Sequence, residues 1–409
     1  MIEISSKADC CGCAACMNVC PNGSLSLIRD EFGCEYPNIN LETCIECGQC
    51  EKVCPILNSS EEIPTHQRAF LIQHKDPTIL GQSTSGGAFS ALAEEVLGQG
   101  GLVFGHGYNG EIESRAPEVH CFSVNDREQL SLFRNSKYSQ STIGYSLKNV
   151  KEQLRKGTIV LFSGTPCQTE GLLKYLGHKP ENLILVDVVC RAVPVRQMFE
   201  KYCNWLQEEY GKSVHSVRFR DKRKYGYRYS NICAFQRNDE SPFYSAGVES
   251  DPMLRAFFSN ICDRPSCYEC KFKKRYRPVD LTLWDCFDIY ELDRSLDNNL
   301  GVTRVLVHTD KGADMMQSIR QYALVIEIDV EEAIRNSREM TNSVSDNTMR
   351  QCFLEDLREL NSVELIEKWF PDNVRVKAER AIRKIMVGMG IYDKGKRVAK
   401  RLLKNFHRR

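Results

Sequence analysis

The sequence predicts an α/β body, α+β over the whole chain, set between a small cysteine-rich module and a basic helical tail. Three observations carry this expectation. Ten of the 20 cysteines fall between Cys10 and Cys54. From Ala69 onward, short β-branched or aromatic runs alternate with stretches of helical periodicity. Residues 373–409 hold 13 Lys or Arg against Glu379 and Asp393, a balance of +11; the formal total of +1 leaves −10 for the preceding 372 residues.

At 409 residues the chain is long enough for two or three domains, and 42% hydrophobic with 27% charged residues implies folded rather than disordered protein. No apolar run approaches the roughly 18 residues of a membrane span. The start, MIEISSKADC, has no basic-then-apolar signal layout. A cytoplasmic chain is therefore expected, where clustered thiols are metal ligands more readily than disulfides.

Cys10, Cys13, Cys16 and Cys20 precede Pro21 with the spacing C-x2-C-x2-C-x3-C-P, and Cys44, Cys47, Cys50 and Cys54 precede Pro55 with the same spacing. Such a run wraps three thiolates round three corners of a cubane, while the fourth cysteine points away to a second cluster. The pattern therefore predicts a bacterial-ferredoxin-like module over residues 1–57 with two 4Fe-4S clusters. Cys10, Cys13, Cys16 and Cys54 would hold one; Cys44, Cys47, Cys50 and Cys20 would hold the other. A pair of zinc ribbons is the alternative, although zinc needs neither eight cysteines nor two identical runs ending in proline. Cys11 and Cys34 fall outside the pattern and are read as packing residues.

Residues 58–67, polar and containing Pro64, read as a linker. The body divides into a first portion at 68–160 and a second at 161–372. AFLI, GLVF, TIVLF and LILVDVV are expected as buried strands, with Arg228–Gln236, Leu281–Leu283 and TRVLVH as further strands. Helices are expected over Gly87–Leu97, Ile143–Arg155, Val195–Tyr210, Ala313–Tyr322 and Gln351–Trp369. In the tail, residues 373–409, Val374, Ala378, Ala381, Ile382, Ile385, Met386 and Met389 make one helical stripe. A second short pattern runs through Val398, Ala399, Leu402, Leu403 and Phe406. Such a basic amphipathic segment can lie on an anionic membrane or dock on the acidic body. No aromatic platform accompanies the charge, so nucleic acid is not expected as a partner.

STSGGAF (Ser83–Phe89) leads straight into a predicted helix, whose first N–H groups suit a phosphate, although a plain cap reads equally well. NSKYSQS (Asn135–Ser141), LFSGTPCQTEGL (Leu161–Leu172), DVVC (Asp187–Cys190), FRDK (Phe219–Lys222) and RPSCYECKFK (Arg264–Lys273) follow. In this order the motifs resemble the beta-subunit family of deazaflavin-coenzyme hydrogenases and dehydrogenases. These are iron–sulfur flavoproteins whose relatives include bacterial paralogues and the plant hydroxymethyl-chlorophyll reductase. The likeness runs from Cys10 to about residue 310.

The resemblance implies a mixed-sheet α/β flavoprotein body with FAD. Ser83, Ser85, Gly86 and Gly87 would meet the nucleotide phosphates, and Lys137, Tyr138, Gln140 and Ser141 would line the same cofactor; an ordinary surface lysine is the other reading of Lys137. Cys167, Cys190, Cys267 and Cys270 each lie in one of these motifs and would hold a third 4Fe-4S cluster, with a zinc site or unrelated buried thiols as alternatives. Cys121, Cys203, Cys233, Cys262 and Cys352 have no ligand context and are expected to pack.

Two departures bear on substrate. Arg191 and Ala192 stand where the family has His-Gly, and Trp284, Asp285, Cys286, Phe287 and Asp288 replace a Gly-Asp-aromatic-Trp-Gly stretch. Both put the deazaflavin coenzyme in doubt as substrate. Arg191, as an anion partner or a structural ion pair, and Asp285, near the flavin, are the catalytic candidates.

The expected function is an oxidoreductase passing electrons between a ferredoxin-type carrier or partner subunit and an organic substrate. That substrate is a small molecule or a lipid-linked or glycan precursor, and the tail would allow peripheral contact with the inner membrane face. The rival is an electron-transfer adaptor with clusters but no substrate of its own. A cluster-based sensor lacks any recognisable DNA-binding segment.

Overall fold

The computed structural model describes residues 1–108, 116–229, 231–392 and 395. Its centre is an eight-stranded mixed sheet. The strands, in chain order, begin with an amino-terminal hairpin of β1 (Leu25–Arg29) and β2 (Glu35–Ile39). Then come β3 (Arg68–His74), β4 (Leu102–Tyr108), β5 (Val119–Val124), β6 (Val160–Gly164) and β7 (Leu183–Val188). A small antiparallel sheet takes β8 (Ser216–Asp221), β9 (Asn231–Phe235) and β10 (Tyr244–Gly247). The central sheet is completed by β11 (Leu281–Asp285), β12 (Thr303–Val307) and β13 (Ala323–Ile328).

The central order is β13-β3-β12-β11-β7-β6-β4-β5. β11, β7, β6 and β4 run parallel, and the pairings outward of them are antiparallel. Strands buried on both faces are apolar throughout, which is why AFLI, TIVLF and LILVDVV were legible. Successive residues alternate between two cores. Leu161 and Ile184 pack with the helices Ala88–Gly98 and Asp310–Ser318. Phe162 and Leu185 pack on the other face with the helices Ser146–Arg155 and Pro166–Leu176. The break drawn at residue 160/161 falls at the start of β6, and both portions of the body supply strands to this one sheet.

The amino-terminal module shares that second core: Ala15, Met17 and Leu25 are buried with Leu147, Leu172 and Tyr175. Asn18 ties it further, donating to the Gly144 carbonyl at 2.8 Å and accepting from the Lys148 N–H at 3.1 Å. Residues 58–67 lie along the body rather than swinging free. Lys274 donates to the Ser60 carbonyl, and the N–H groups of Arg275 and Tyr276 donate to Glu62.

The helix expected over Gln351–Trp369 is two helices, Arg350–Glu359 and Ser362–Trp369. Leu360 turns extended, and Asn361 caps the second helix in a reciprocal box with Glu364. The expected helix ending at Tyr322 closes as a 3-10 turn after Ser318. In the tail, Val374–Gly388 is helical; the pattern from Val398 to Phe406 lies outside the described residues. No described helix is long and apolar enough to cross a membrane.

Candidate functional site

The parallel strands β4, β6, β7 and β11 all end at one edge, where open α/β sheets bind ligands. A cavity of about 1690 Å³ opens there. Its wall takes His106 from β4, Gly164 and Thr165 after β6, Cys190 and Arg191 after β7, and Trp284 and Asp285 at the end of β11.

Seven of the eight residues expected to line the flavin are on this wall, Ser83, Ser85, Gly87, Lys137, Tyr138, Gln140 and Ser141; Gly86 lies behind it, its N–H donating to Thr303 Oγ1 at 2.9 Å. Gly86 is pressed on the sheet; a Cβ there would meet the Ile72 carbonyl oxygen at 2.0 Å and the Thr303 nitrogen at 2.4 Å. Gly87 caps the helix Ala88–Gly98 at φ +81°, a left-handed conformation that glycine adopts without strain. The serine hydroxyls are already committed. Ser83 donates to the Ile79 carbonyl and Ser85 to that of Val302, both at 2.7 Å. The loop therefore offers a phosphate its backbone N–H groups rather than those hydroxyls.

Lys137 is also committed. Its ammonium donates to the carbonyls of Leu132, Phe133 and Arg134 at 3.2, 3.0 and 2.9 Å, and burial pushes its pKa down to about 7. Tyr138 stacks on Phe257 with centroids 4.2 Å apart. Ser141 lies 2.7 Å from His106 Nδ1, and burial, then Lys137, lowers that histidine to about 4. His106 was not singled out from the sequence. Its signal is a Gly-His-Gly run within a strand, where Gly105 and Gly107 leave room for Phe133 and the Leu132 carbonyl.

Asp285 pairs with Arg220 at 3.0 Å and accepts from the Tyr227 hydroxyl at 2.9 Å. Phe287 stacks on Tyr227. Arg191 donates to Asn260 at 2.7 Å and to the Phe258 carbonyl at 3.3 Å, and meets Glu339 at 3.4 Å. Most of its guanidinium is thus engaged structurally. Five buried nitrogens of the wall have no hydrogen-bond partner: Arg191 Nε, Arg220 Nη2, Arg304 Nε, Trp284 Nε1 and His106 Nε2. Buried polar atoms are rarely left so, although these five present no open surface to the cavity. The size of the cavity and the helix N-terminus at Gly87 on its wall are what fit a flavin nucleotide.

The cysteines fall into three groups. Burial, then the neighbouring Cys10 and Cys54, pushes Cys16 up to about 12; at Cys13 the neighbouring Cys11 lowers the thiol, but burial and then Cys16 and Cys10 raise it on balance. Cys20, Cys44, Cys47 and Cys50 surround a recess beside Met1. Cys54 thus lies beside the first run and Cys20 beside the second, the proximity that crossed ligation would need. Cys167, Cys190, Cys267 and Cys270 form the third group on the cavity wall: Cys190 feels Cys167 and Cys270, and Cys267 feels Cys190 and Cys270. Each set offers four thiols, the donor set of a 4Fe-4S cluster. Among the described residues, no three His, Cys, Asp or Glu are gathered closely enough to hold a single metal ion.

Cys11 packs against the second core as expected, and it also lines the cavity beside Cys13 and Cys167. Cys34, Cys121, Cys203, Cys233 and Cys262 are buried as expected, whereas Cys352 is exposed, on the outer side of the helix Arg350–Glu359.

Residues 157–333 match the family described as the carboxy terminus of the coenzyme F420 hydrogenase/dehydrogenase beta subunit, and residues 9–57 match the 4Fe-4S dicluster domain. Residues 157–333 of the chain are thus similar to the carboxy-terminal part of this beta-subunit family. Among its relatives, the F subunit of the F420H2 dehydrogenase of Methanosarcina mazei is 23% identical over 254 residues, covering 54% of this chain and 70% of the relative. A ferredoxin of Methanocaldococcus jannaschii is 38% identical over 52 residues, covering 13% of this chain and 66% of the relative. A solved F420-reducing [NiFe] hydrogenase complex of Methanosarcina barkeri contains a chain with 14% identity and a TM-score of 0.42, matched over 77% of this chain and 97% of that one. The amino-terminal module of this beta-subunit relative is thus a 4Fe-4S dicluster domain.

Proposed function

We propose that this protein is an iron–sulfur flavoprotein that moves electrons between a carrier or partner subunit and an organic substrate. The observation that carries the reading is the shared wall. One cavity combines a flavin-sized space, the helix N-terminus at Gly87 and the third cysteine group, and Cys11 joins that group to the first. A flavin bound there would exchange single electrons with clusters and hydride with a substrate.

The chain's own residues hold and shape. Gly86 and Gly87 turn the loop so that the helix Ala88–Gly98 aims its N-terminus at the cavity. Lys222 fixes that loop by donating to the Ser85 carbonyl at 2.6 Å. Arg220, Asp285 and Tyr227 form a braced polar edge of the cavity. His106 stands neutral on the wall, beside Ser141.

The relative from M. mazei is part of a dehydrogenase, which supports a partner subunit here. Cys47 is exposed in the second cysteine group, which supports electron entry or exit at that end. Among the described residues, the cavity offers no feature particular to a glycan or lipid-linked substrate. The adaptor reading draws on Arg191 and Asp285, whose contacts are largely within the protein.

Anaerobic purification with iron, sulfide and released flavin counted per chain tests the proposal. About 12 irons and one FAD are expected, four irons per cluster. About eight irons and no flavin after reconstitution would reject it in favour of the adaptor.

A further inference from the structure

The helix Val374–Gly388 is held to the body by one face only. Val376 is buried, Arg383 meets Glu249 at 3.6 Å, and Tyr392, just beyond, packs on Tyr229 with centroids 5.6 Å apart. The opposite face is apolar and uncovered. Val374, Ile382, Ile385 and Met389 are 83%, 57%, 60% and 65% exposed. At about 100° per residue these four share an arc of about 80° with Ala378. Cations flank the arc, Arg375 along one side and Lys377 and Lys384 along the other, all exposed. The helix has one acidic residue, Glu379, which lies about 100° from the centre of the arc and is paired with Arg383.

We propose that this helix seats the protein on an anionic lipid surface. An apolar arc bounded by long basic side chains is the geometry of an interfacial helix, whose apolar residues enter the acyl boundary while the lysines and arginines stay at the headgroups. Charge complementarity favours a bilayer over a second copy of this chain. The outer side is net cationic, with Arg375, Lys377 and Lys384 exposed beside the one paired Glu379, and would repel its own image, whereas anionic lipid attracts it. The sequence after Gly390 adds eight further Lys or Arg against Asp393. The rest of the chain sums to −10, so an anionic surface repels the body and attracts only this end. The helix would therefore orient the protein as well as hold it.

The test is flotation of the full-length, cluster-loaded protein with vesicles of phosphatidylcholine alone or with one-third phosphatidylglycerol, at low and high salt. Binding is expected on the anionic vesicles, at least about tenfold weaker on neutral ones, and reduced by salt. The double variant Ile382→Glu, Ile385→Glu alters only exposed positions and is expected to lose binding by at least about tenfold while keeping wild-type iron and flavin content. Equal binding to neutral vesicles, no binding to either, or full binding by the double variant would overturn the proposal. So would a stable lipid-free dimer that this variant dissolves, which would make the face an interface between copies. None of these readouts depends on whether the cavity holds flavin.

Discussion

If, as proposed, Cys10, Cys13, Cys16 and Cys54 hold a 4Fe-4S cluster, replacing Arg264 with glutamine should lower its reduction potential. Arg264 is 2% exposed and makes three hydrogen bonds: to the Cys10 carbonyl at 3.0 Å, the Glu35 carbonyl at 2.8 Å and the Gln140 side-chain oxygen at 2.7 Å. Tyr36 covers its face at 4.6 Å. None of these partners is a carboxylate, so a buried cation lacks the usual counter-ion. Burial works against its charge, and Cys34, Cys10, Tyr36 and Cys11 restore it. A thiolate-bound cluster at Cys10 would supply the missing negative charge, and each added electron would strengthen the pairing. A unit charge about 7 Å from a cluster centre, at an effective dielectric of about 20, is worth about 2 kcal/mol. For one electron, about 59 mV corresponds to a tenfold change in equilibrium, so the potential should fall by about 100 mV. The assay is an anaerobic redox titration followed by electron paramagnetic resonance. Arg264→Lys keeps the charge and should recover most of the shift. The cluster at Cys20, Cys44, Cys47 and Cys50 is the internal control. Unchanged midpoints in an iron-replete Arg264→Gln protein would refute the reasoning, as would equal shifts in both clusters.

Replacing Cys267 and Cys270 together with serine should remove about four irons per chain and leave about eight, counted chemically and by resonance signal; loss of all twelve would break the assignment of separate groups. A Gly86→Ala protein should lose flavin retention and about 1–3 kcal/mol or more of stability, because the new Cβ meets backbone atoms at 2.0 and 2.4 Å that have no freedom to withdraw; released-flavin fluorescence and thermal unfolding report the two effects. His106 gives a pH signature. Its folded pKa, about 4, lies below the unfolded value of about 6.5, so the unfolded chain takes up the proton first. Its contribution is complete above about pH 6.5 and is lost as pH falls toward 4, by up to about 3 kcal/mol. Wild type should therefore lose more stability between pH 7 and pH 5 than His106→Gln does, followed by tryptophan fluorescence on heating; identical losses would show that the imidazole does not stay neutral.

The parts legible in the sequence are those whose cause is local. Crossed cysteine sets follow from two spacings, and buried parallel strands from unbroken apolar runs such as LILVDVV. What was missed depends on contacts far apart in the chain. β13 reads weakly because it pairs only on one side, with β3, and leaves Leu324 exposed. The division of Gln351–Trp369 had a local signal, the capping-box spacing from Asn361 to Glu364, but the apolar period continues through it and masks the break. Motif resemblance located Lys137, Ser83 and Ser85 on the cavity wall without revealing that their polar groups are bound to nearby carbonyls. Only three-dimensional hydrogen bonding separates a residue that lines a cofactor from one that shapes the lining.

The same distinction explains why the dicluster domain is packed into the body rather than hung from it. Electron transfer between centres falls steeply with distance, so a tethered module would pass electrons only when it happened to dock. Here the module shares a core with the body. Gly171, on the helix that also carries Cys167, lies so close to Cys13 that any Cβ would come within 2.8 Å of the Cys13 Cβ. Arg264, just before the helical turn that carries Cys267 at its end, reaches back to the Cys10 carbonyl. Cys11 bridges Cys13 and Cys167. Each contact joins a ligand loop of the first group to an element that presents a ligand of the third. A larger side chain at position 171 should therefore slow electron transfer between the two groups, because its Cβ would press on Cys13, meeting that residue's Cβ at 2.8 Å and its Sγ at 3.0 Å; the rate is read only in protein that keeps the wild-type iron count.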